Sequence, residues 1–352
     1  MLNILINLLL FILILGVIVF VHEFGHFIWA KICGVYVYEF AIGMGPKLWG
    51  KKGKETEYTL RAIPIGGFCQ LAGEDVEADK DYKIPKNRRL QDKTPFQRFL
   101  IMFFGAGNNF ILAIILLFFI ALIWGGSTMN PVISKVEKNT PAATAGIKSG
   151  DVVLKINDNK VNTSDDIALY LAISNPKKNN TFLIGREGKV YSIKIKPKKV
   201  GKGKNATYKY GIVMKQGKMT GFVNSIKYTF MKTKSIFKQM WVTVKSLVTG
   251  GVKLSQLSGP VGIYSIVGEQ RSAGLASVLY LVAFLSINVG FINLLPLPAF
   301  DGGHILFILI EILRFGKPVD PKIENYIHMV GMILLLLLMV IVTFNDILRL
   351  FQ

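Results

Sequence analysis

From Met1 to Val21 the chain carries no charged residue, and Leu, Ile, Phe and Val dominate the run. About 20 such residues cross the hydrocarbon core of a bilayer as a helix, so the stretch reads as a transmembrane segment. Three further uncharged runs, 99–134, 272–300 and 329–345, are long enough to do the same. Together they explain a hydrophobic content of 51% over 352 residues, too apolar for an ordinary soluble protein of this size. A removable signal peptide would show a basic segment before the first run and a small-residue cleavage site after it; neither pattern is there, and the run reads as a retained span. The expected fold class is a polytopic α-helical membrane protein of about four transmembrane helices.

The end of the first run holds His22-Glu23-Phe24-Gly25-His26. Hydrocarbon does not tolerate ionisable groups idly, and inside a span they mark function by default. Helix positions four apart share a face about 6 Å apart along the axis, so His22 and His26 can grip one ion together. Glu23 is displaced around the helix and free to take a proton from a metal-bound water, the division of roles in an H-E-x-x-H spacing. Chance yields the pattern in roughly one chain in a hundred of this length. Here only four histidines exist and two of them sit in it. Metal binding is the expectation.

Beyond residues 1–30, the segment 31–98 should be a loop with a small β element. Val35–Phe40 and Glu57–Ile63 are rich in β-formers, Gly43-Met44-Gly45-Pro46 reads as a turn, and Pro64–Phe68 as the end of the second strand. This sheet should pack on the helix bearing the histidines, and its edge could take an extended peptide by strand addition. Residues 74–98 read as a soluble loop. Their basic residues, with Lys51, Lys52 and Lys54, place that side in the cytoplasm.

The second span, 99–124, contains Gly105-Ala106-Gly107-Asn108-Asn109, small residues for close helix approach and amides that usually bond a neighbouring helix. Residues 130–200 read as a compact α+β domain. Thr140-Pro141 opens a short helix with Thr as N-cap, and Thr163–Asp166 opens another with the pattern of a capping box. Residues 201–275 form a basic connecting region: 201–215 reads as loop, and Phe222–Val248 interleaves Lys with apolar residues in the manner of a helix lying on a membrane surface. The third span, 276–314, is interrupted by Asn293-Leu294-Leu295-Pro296-Leu297-Pro298-Ala299-Phe300-Asp301-Gly302-Gly303-His304, and broken backbone at membrane depth must be buried or line a cavity. Asp301 is either a site carboxylate or a helix cap, and by chemistry Asp301 and His304 both qualify as a third metal ligand. A fourth span covers 329–348. Between Gly125 and Leu275 there are 25 Lys and Arg against 7 Asp and Glu. With no nucleic-acid motif, that charge points to anionic lipid headgroups instead. Cys33 and Cys69 lie far apart and read as buried small residues.

In combination these features resemble the site-2 protease family of zinc intramembrane proteases, in the branch of the regulator of sigma-E protease, over nearly all of the chain. The resemblance rests on H-E-F-G-H, on F-x-x-G-x-G-P from Phe40 to Pro46, on N-x-x-P-x-P-x-x-D-G-G from Asn293 to Gly303, and on residues 130–200, whose A-G-I-K-S-G-D and following strand resemble a PDZ domain of bacterial proteases. It implies Zn2+ held by His22, His26 and Asp301, Glu23 as general base, Asn293 near the substrate backbone, and Asn109 and His304 as supporting groups behind the ligands. It also implies endoproteolysis of single-span membrane proteins, such as anti-sigma-factor-like or signal-peptide-remnant substrates, in a bacterial inner membrane. The site should then face the cytoplasm and the PDZ-like domain the outside. The second span lacks the proline usual before its Asn residues, Phe300 replaces the usual Leu, and one PDZ-like domain stands where the branch often has two. The competing classes are a non-enzymatic scaffold with a structural metal and a metal transporter. The first would want four protein ligands and the second a repeated half.

Overall fold

The structure is a computed structural model that describes residues 2–74, 84–85, 87–201, 207–251 and 259–350. Most of the charged loop after residue 74, the Lys/Gly stretch 202–206 and Ser258 lie outside the described residues. Two compact units are distinguished, Met1–Leu116 with Ser258–Ile347, and Leu117–Leu257 with Leu348–Gln352. Among the described residues, four helices are long and apolar enough to cross a membrane.

In the first unit, helix α1 (Leu2–Ile32) carries the uncharged run and continues past His26 to Ile32. Strands β1 (Val37–Lys52) and β2 (Glu57–Leu71) follow as one long antiparallel hairpin. The turn expected at Gly43–Pro46 is not there. Pairing runs through it, from Met44↔Ile63 to Lys47↔Arg61 and Trp49↔Leu60, and the reversal comes only after Lys52. Gly43 and Gly45 have φ of +84° and +82°, so they absorb bulges that shift the register while the ladder continues. Pro64–Phe68 does not end β2 for the same reason; Phe68 pairs with Ala41 and Cys69 with Phe40. The hairpin lies against α1, where a Cβ on Gly67 would come within 3.6 Å of the Glu23 side chain.

Helix α2 (Pro95–Trp124) begins four residues before the uncharged run, because Thr94 and Gln97 close its first turn. In the second unit β3 (Gly126–Ser127), β4 (Ile133–Val136), α3 (Pro141–Thr144), β5 (Val152–Ile156), β6 (Asn159–Lys160), α4 (Ser164–Ile173), β7 (Asn180–Arg186), β8 (Lys189–Ile195), β9 (Lys198–Val200), β10 (Thr207–Lys209), β11 (Ile212–Met214) and β12 (Lys218–Met219) build an α+β lobe. Its largest sheet has the order β6-β5-β7-β8, all antiparallel. Phe182, Ile133, Ile156 and Ile184 are fully buried in its core. The capping box at α4 forms, with Thr163 accepting from the Asp166 N–H and Asp166 from the Thr163 N–H. Thr140 is the N-cap of α3 as expected but makes no side-chain capping bond, since its hydroxyl donates to the Glu137 carbonyl. Part of the expected loop 201–215 belongs to the lobe, since β11 pairs with β4 and Tyr210 is buried in the core, bonded to Asn180 at 2.6 Å. These strands are too short for a periodicity of their own to show. Burial pushes the Asp151 carboxyl up, but the Arg186 guanidinium and the Lys148 N–H win and hold it below its usual range.

Helix α5 (Phe222–Val248) presses one face on the lobe, with Lys232 and Ser235 reaching Asp165 and Lys238 reaching Asp166. Phe222, Val223, Ile226, Phe230, Trp241 and Val248 fall on the other side and are exposed. The helix is therefore amphipathic as expected, with a protein-packed face that the membrane-surface reading did not include.

Back in the first unit, α6 (Pro260–Ala273) packs on α1 and on α7 (Leu275–Asn293), whose span stops at the Pro/Gly segment. The expected third span is thus two helices, because α8 (Asp301–Leu313) restarts only after residues 294–300. Arg98 Nη2 donates to Glu311 at 2.6 Å and ties the start of α2 to the end of α8. The last helix, α9 (Pro321–Leu350), begins earlier than the apolar run alone suggested. Its Asp346 accepts from the Gly259 and Gly262 N–H groups, at 2.7 and 2.9 Å, and so caps α6 with a carboxylate.

Candidate metal centre

Three side chains converge where α1, α2 and the start of α8 meet. His22 Nε2 and His26 Nε2 are 3.3 Å apart, as two imidazoles one turn apart on α1 must be if they aim at one point. Asp301 places Oδ2 3.4 Å from His22 Nε2 and Oδ1 3.4 Å from His26 Nε2. Around a tetrahedral zinc with bonds of about 2.0–2.1 Å, neighbouring donors stand about 3.3–3.4 Å apart. The two imidazole nitrogens and the carboxylate that spans them therefore stand at separations that suit zinc, and no fourth His, Cys, Asp or Glu joins the group among the described residues.

The electronic state of the donors also fits. His26 Nδ1 lies 2.9 Å from the Ile101 carbonyl, an acceptor only, so Nδ1 carries the proton and Nε2 keeps its lone pair. This is the carbonyl–His arrangement that orients a metal ligand. Asp301 Oδ2 is buried and has no hydrogen-bond donor among the described residues, a costly state that a cation relieves. The residues fit zinc.

The site depends on close helix approach. A Cβ on Gly105 would lie 2.2 Å from His26 Nε2, and a Cβ on Gly25 would lie 2.0 Å from the Phe104 carbonyl oxygen. Only glycine at these positions lets α2 come close enough for the Ile101 carbonyl to reach His26. The sequence marked Gly105 as a small residue for close helix approach, but neither Gly25 nor this use of the pair.

His22, Glu23, His26, Asn293, Asp301 and His304 line one open cleft of about 970 Å³. The Asn293 amide nitrogen sits over His22, 3.4 Å from Nε2 and 3.5 Å from Nδ1. Phe300, not Asp301, is the N-cap of α8, and Asp301 points from its first turn into the cleft. Asn109 is fully buried; its carbonyl accepts from Ser286 Oγ at 2.9 Å, and its amide finds no partner among the described residues. It is not among the residues lining the cleft.

His304 turns toward α9 instead, with Nδ1 3.3 Å from Glu324 Oε1 and its ring stacked on His328 at 4.0 Å. His304, Glu324 and His328 form a second group of two imidazoles and a carboxylate that sequence reasoning did not pick out, since the pair Glu324/His328 at i, i+4 was the only signal. Its chemistry differs from the first. His328 Nδ1 accepts from the Ala299 N–H at 3.1 Å, so in the neutral ring the proton sits on Nε2, the atom facing Glu324 at 4.0 Å. That nitrogen has no lone pair to give a metal.

The profile of peptidase family M50 matches residues 10–338. A relative from Clostridium perfringens is 40% identical over 332 residues, covering 94% of this chain and 95% of its own. The regulator of sigma-W protease RasP of Bacillus subtilis is 33% identical over 417 residues, covering 97% and 98%. The zinc metalloprotease RasP of Bacillus licheniformis is 32% identical over 416, with the same coverage. Both RasP alignments exceed the 352 residues of this chain, so those proteins carry segments it lacks. With a family match over most of its length and a donor set shaped for zinc, the chain belongs to peptidase family M50, the site-2 type zinc metalloproteases.

Proposed function

We propose that this protein cleaves the transmembrane segments of single-span membrane proteins, with His22, His26 and Asp301 holding the zinc and Glu23 as general base. The observation that carries the reading is a donor group of two imidazoles and one carboxylate, with no fourth member among the described residues, in a cleft that also contains Glu23. A structural zinc would have a fourth protein ligand, which weighs against the scaffold alternative.

Zinc, when bound there, supplies Lewis acidity toward a water and toward the scissile carbonyl. Glu23 accepts the proton of the attacking water on its carboxylate and passes it to the leaving amide nitrogen. Asn293, beside the His22 ring, offers its amide to the substrate backbone. A helix hides its carbonyls in internal hydrogen bonds, so the substrate must unwind to react, and helix-breaking residues in it should speed cleavage. The β1–β2 hairpin along α1 offers a strand edge to hold the unwound segment.

The basic residues of the hairpin and the following loop support a cytoplasmic site in a bacterial inner membrane, with the lobe outside. The lobe's strand–helix order supports the PDZ-like reading, with anti-sigma-factor-like proteins or signal-peptide remnants as substrates whose bulky ectodomains are screened out. The exposed stripe of α5, next to Lys227, Lys234 and Lys245, suits a surface of anionic lipid. The test is cleavage of a single-span test protein by the purified chain in detergent or bilayer discs, with and without chelator. Chelator-sensitive cleavage within the span is expected. Zinc binding without any cleavage of several such proteins would favour the scaffold.

A further inference from the structure

Asp301 is delivered to the metal centre by an unusual piece of backbone. Ala299, two residues before it, has φ of +74°, a conformation that residues with a Cβ rarely adopt and that persists only where surroundings impose it. The surroundings here are α9, which supplies no atom to the donor set. The Ala299 N–H donates to His328 Nδ1 at 3.1 Å. Three residues on, Gly331 meets Pro298 so closely that a Cβ would come within 2.2 Å of the Pro298 Cβ. The two contacts lie on one face of α9 and clamp consecutive residues of the loop. The His328 ring is held in turn, stacked flat on His304 and tilted against Phe307 at 5.6 Å. Elsewhere α9 is the least buried of the four candidate spans, at 11% of its apolar window. Its one imidazole is spent on this loop.

We propose that His328 is a positioning residue: by fixing the left-handed Ala299 it aims Asp301 at the point shared by His22 and His26. This rests on Asp301 being a zinc ligand. Without the acceptor, the half-buried Ala299 N–H has an incentive to rotate toward other partners, and Asp301, attached through one residue, moves with it. Groups that orient ligands from behind typically change metal affinity by about 10–100-fold.

The experiment measures zinc affinity and stoichiometry by competition with a chromophoric chelator, and the visible spectrum of the cobalt-loaded protein, on the full chain in detergent. His328→Phe keeps the stack on His304 but removes the acceptor; it should weaken zinc by about 10–100-fold and diminish the tetrahedral cobalt bands. His328→Asn places an oxygen near the position of Nδ1 and should restore most of both. Gly331→Ala pushes on Pro298 with His328 intact and should also weaken zinc, which keeps the test informative if the Phe variant does not fold. Equal behaviour of the Asn and Phe variants overturns the proposal, as does unchanged affinity in both. A second zinc per chain that disappears in His328→Phe would overturn it too, by making His328 a ligand. Asp301→Ala serves as control: if it keeps zinc, the ligand assignment itself is wrong, and if it loses zinc while His328→Phe does not, only the positioning role fails.

Discussion

The two histidine groups, His22/His26/Asp301 and His304/Glu324/His328, share a composition and part of a spacing, yet they offer a metal different things. Both contain an i, i+4 pair on one helix and a third member from another. In the first, the Ile101 carbonyl takes the proton side of His26 and leaves Nε2 bare toward Asp301. In the second, the Ala299 N–H occupies the bare side of His328 and leaves the protonated nitrogen toward Glu324. A single backbone partner, acceptor in one case and donor in the other, separates the proposed metal ligand His26 from the proposed strut His328. Residue type and spacing cannot make that distinction.

The largest expected effect tests Glu23, the carboxylate proposed as base beside the first group. Glu23→Gln should lower cleavage by about 10²-fold or more while zinc content stays near that of the parent, whereas Glu324→Gln should retain most activity. Comparable turnover in the Glu23 variant would remove it from the role of general base. Next, Asp301→Ala should lose zinc and activity together, and His304→Ala should keep most of its zinc; metal analysis of the purified variants decides, and the reverse pattern would move the ligand role to His304. Gly105→Ala should behave as a milder version of the ligand loss, because the new Cβ displaces His26 from Asp301. Zinc affinity should fall about tenfold or more, and an unchanged value would show that the helices can part without cost to the site.

The smallest effect concerns a carboxylate matched to permanent cations instead of imidazoles. Arg88, by hydrogen bonding, and then Lys31 hold the Glu55 carboxyl down at about 2, well below its usual range. A depressed folded value stabilises the protein above the ordinary carboxylate pKa, and that contribution is lost as pH falls from about 4.5 toward 2. The melting temperature of Glu55→Gln should therefore lie slightly below that of the parent at pH 7, and the gap should narrow below about pH 4.5 and close near pH 2. Glu55 is a third exposed, so the difference corresponds to about 1 kcal/mol or less. A gap that widens in acid would mean that the pair does not stabilise the fold.

Much of this was legible beforehand for reasons tied to particular residues. The uncharged run 1–21 permits little besides a span, because the bilayer core excludes charge and unpaired backbone. His22 and His26 at i, i+4 are fixed to one face by helix geometry alone. The hairpin was legible as strands but not in its turn, since Gly43 and Gly45 look the same in sequence whether they reverse a chain or bulge it. Residues 212–214 looked like loop because three residues carry no period, and only pairing with Ile133–Val136 makes them a strand.

The sequence by itself determined the spans, the histidine pair and the broken backbone before Asp301, because each follows from local rules of length, period and chain stiffness. Tertiary structure alone decided which carbonyl orients His26, that Gly105 must lack a side chain, and that His328 points at the Ala299 N–H instead of at a metal. Those outcomes depend on groups far apart along the chain, 75 residues in the case of His26 and Ile101. The direction of a hydrogen bond between such groups is set by their positions in space, and no pattern along the chain encodes it.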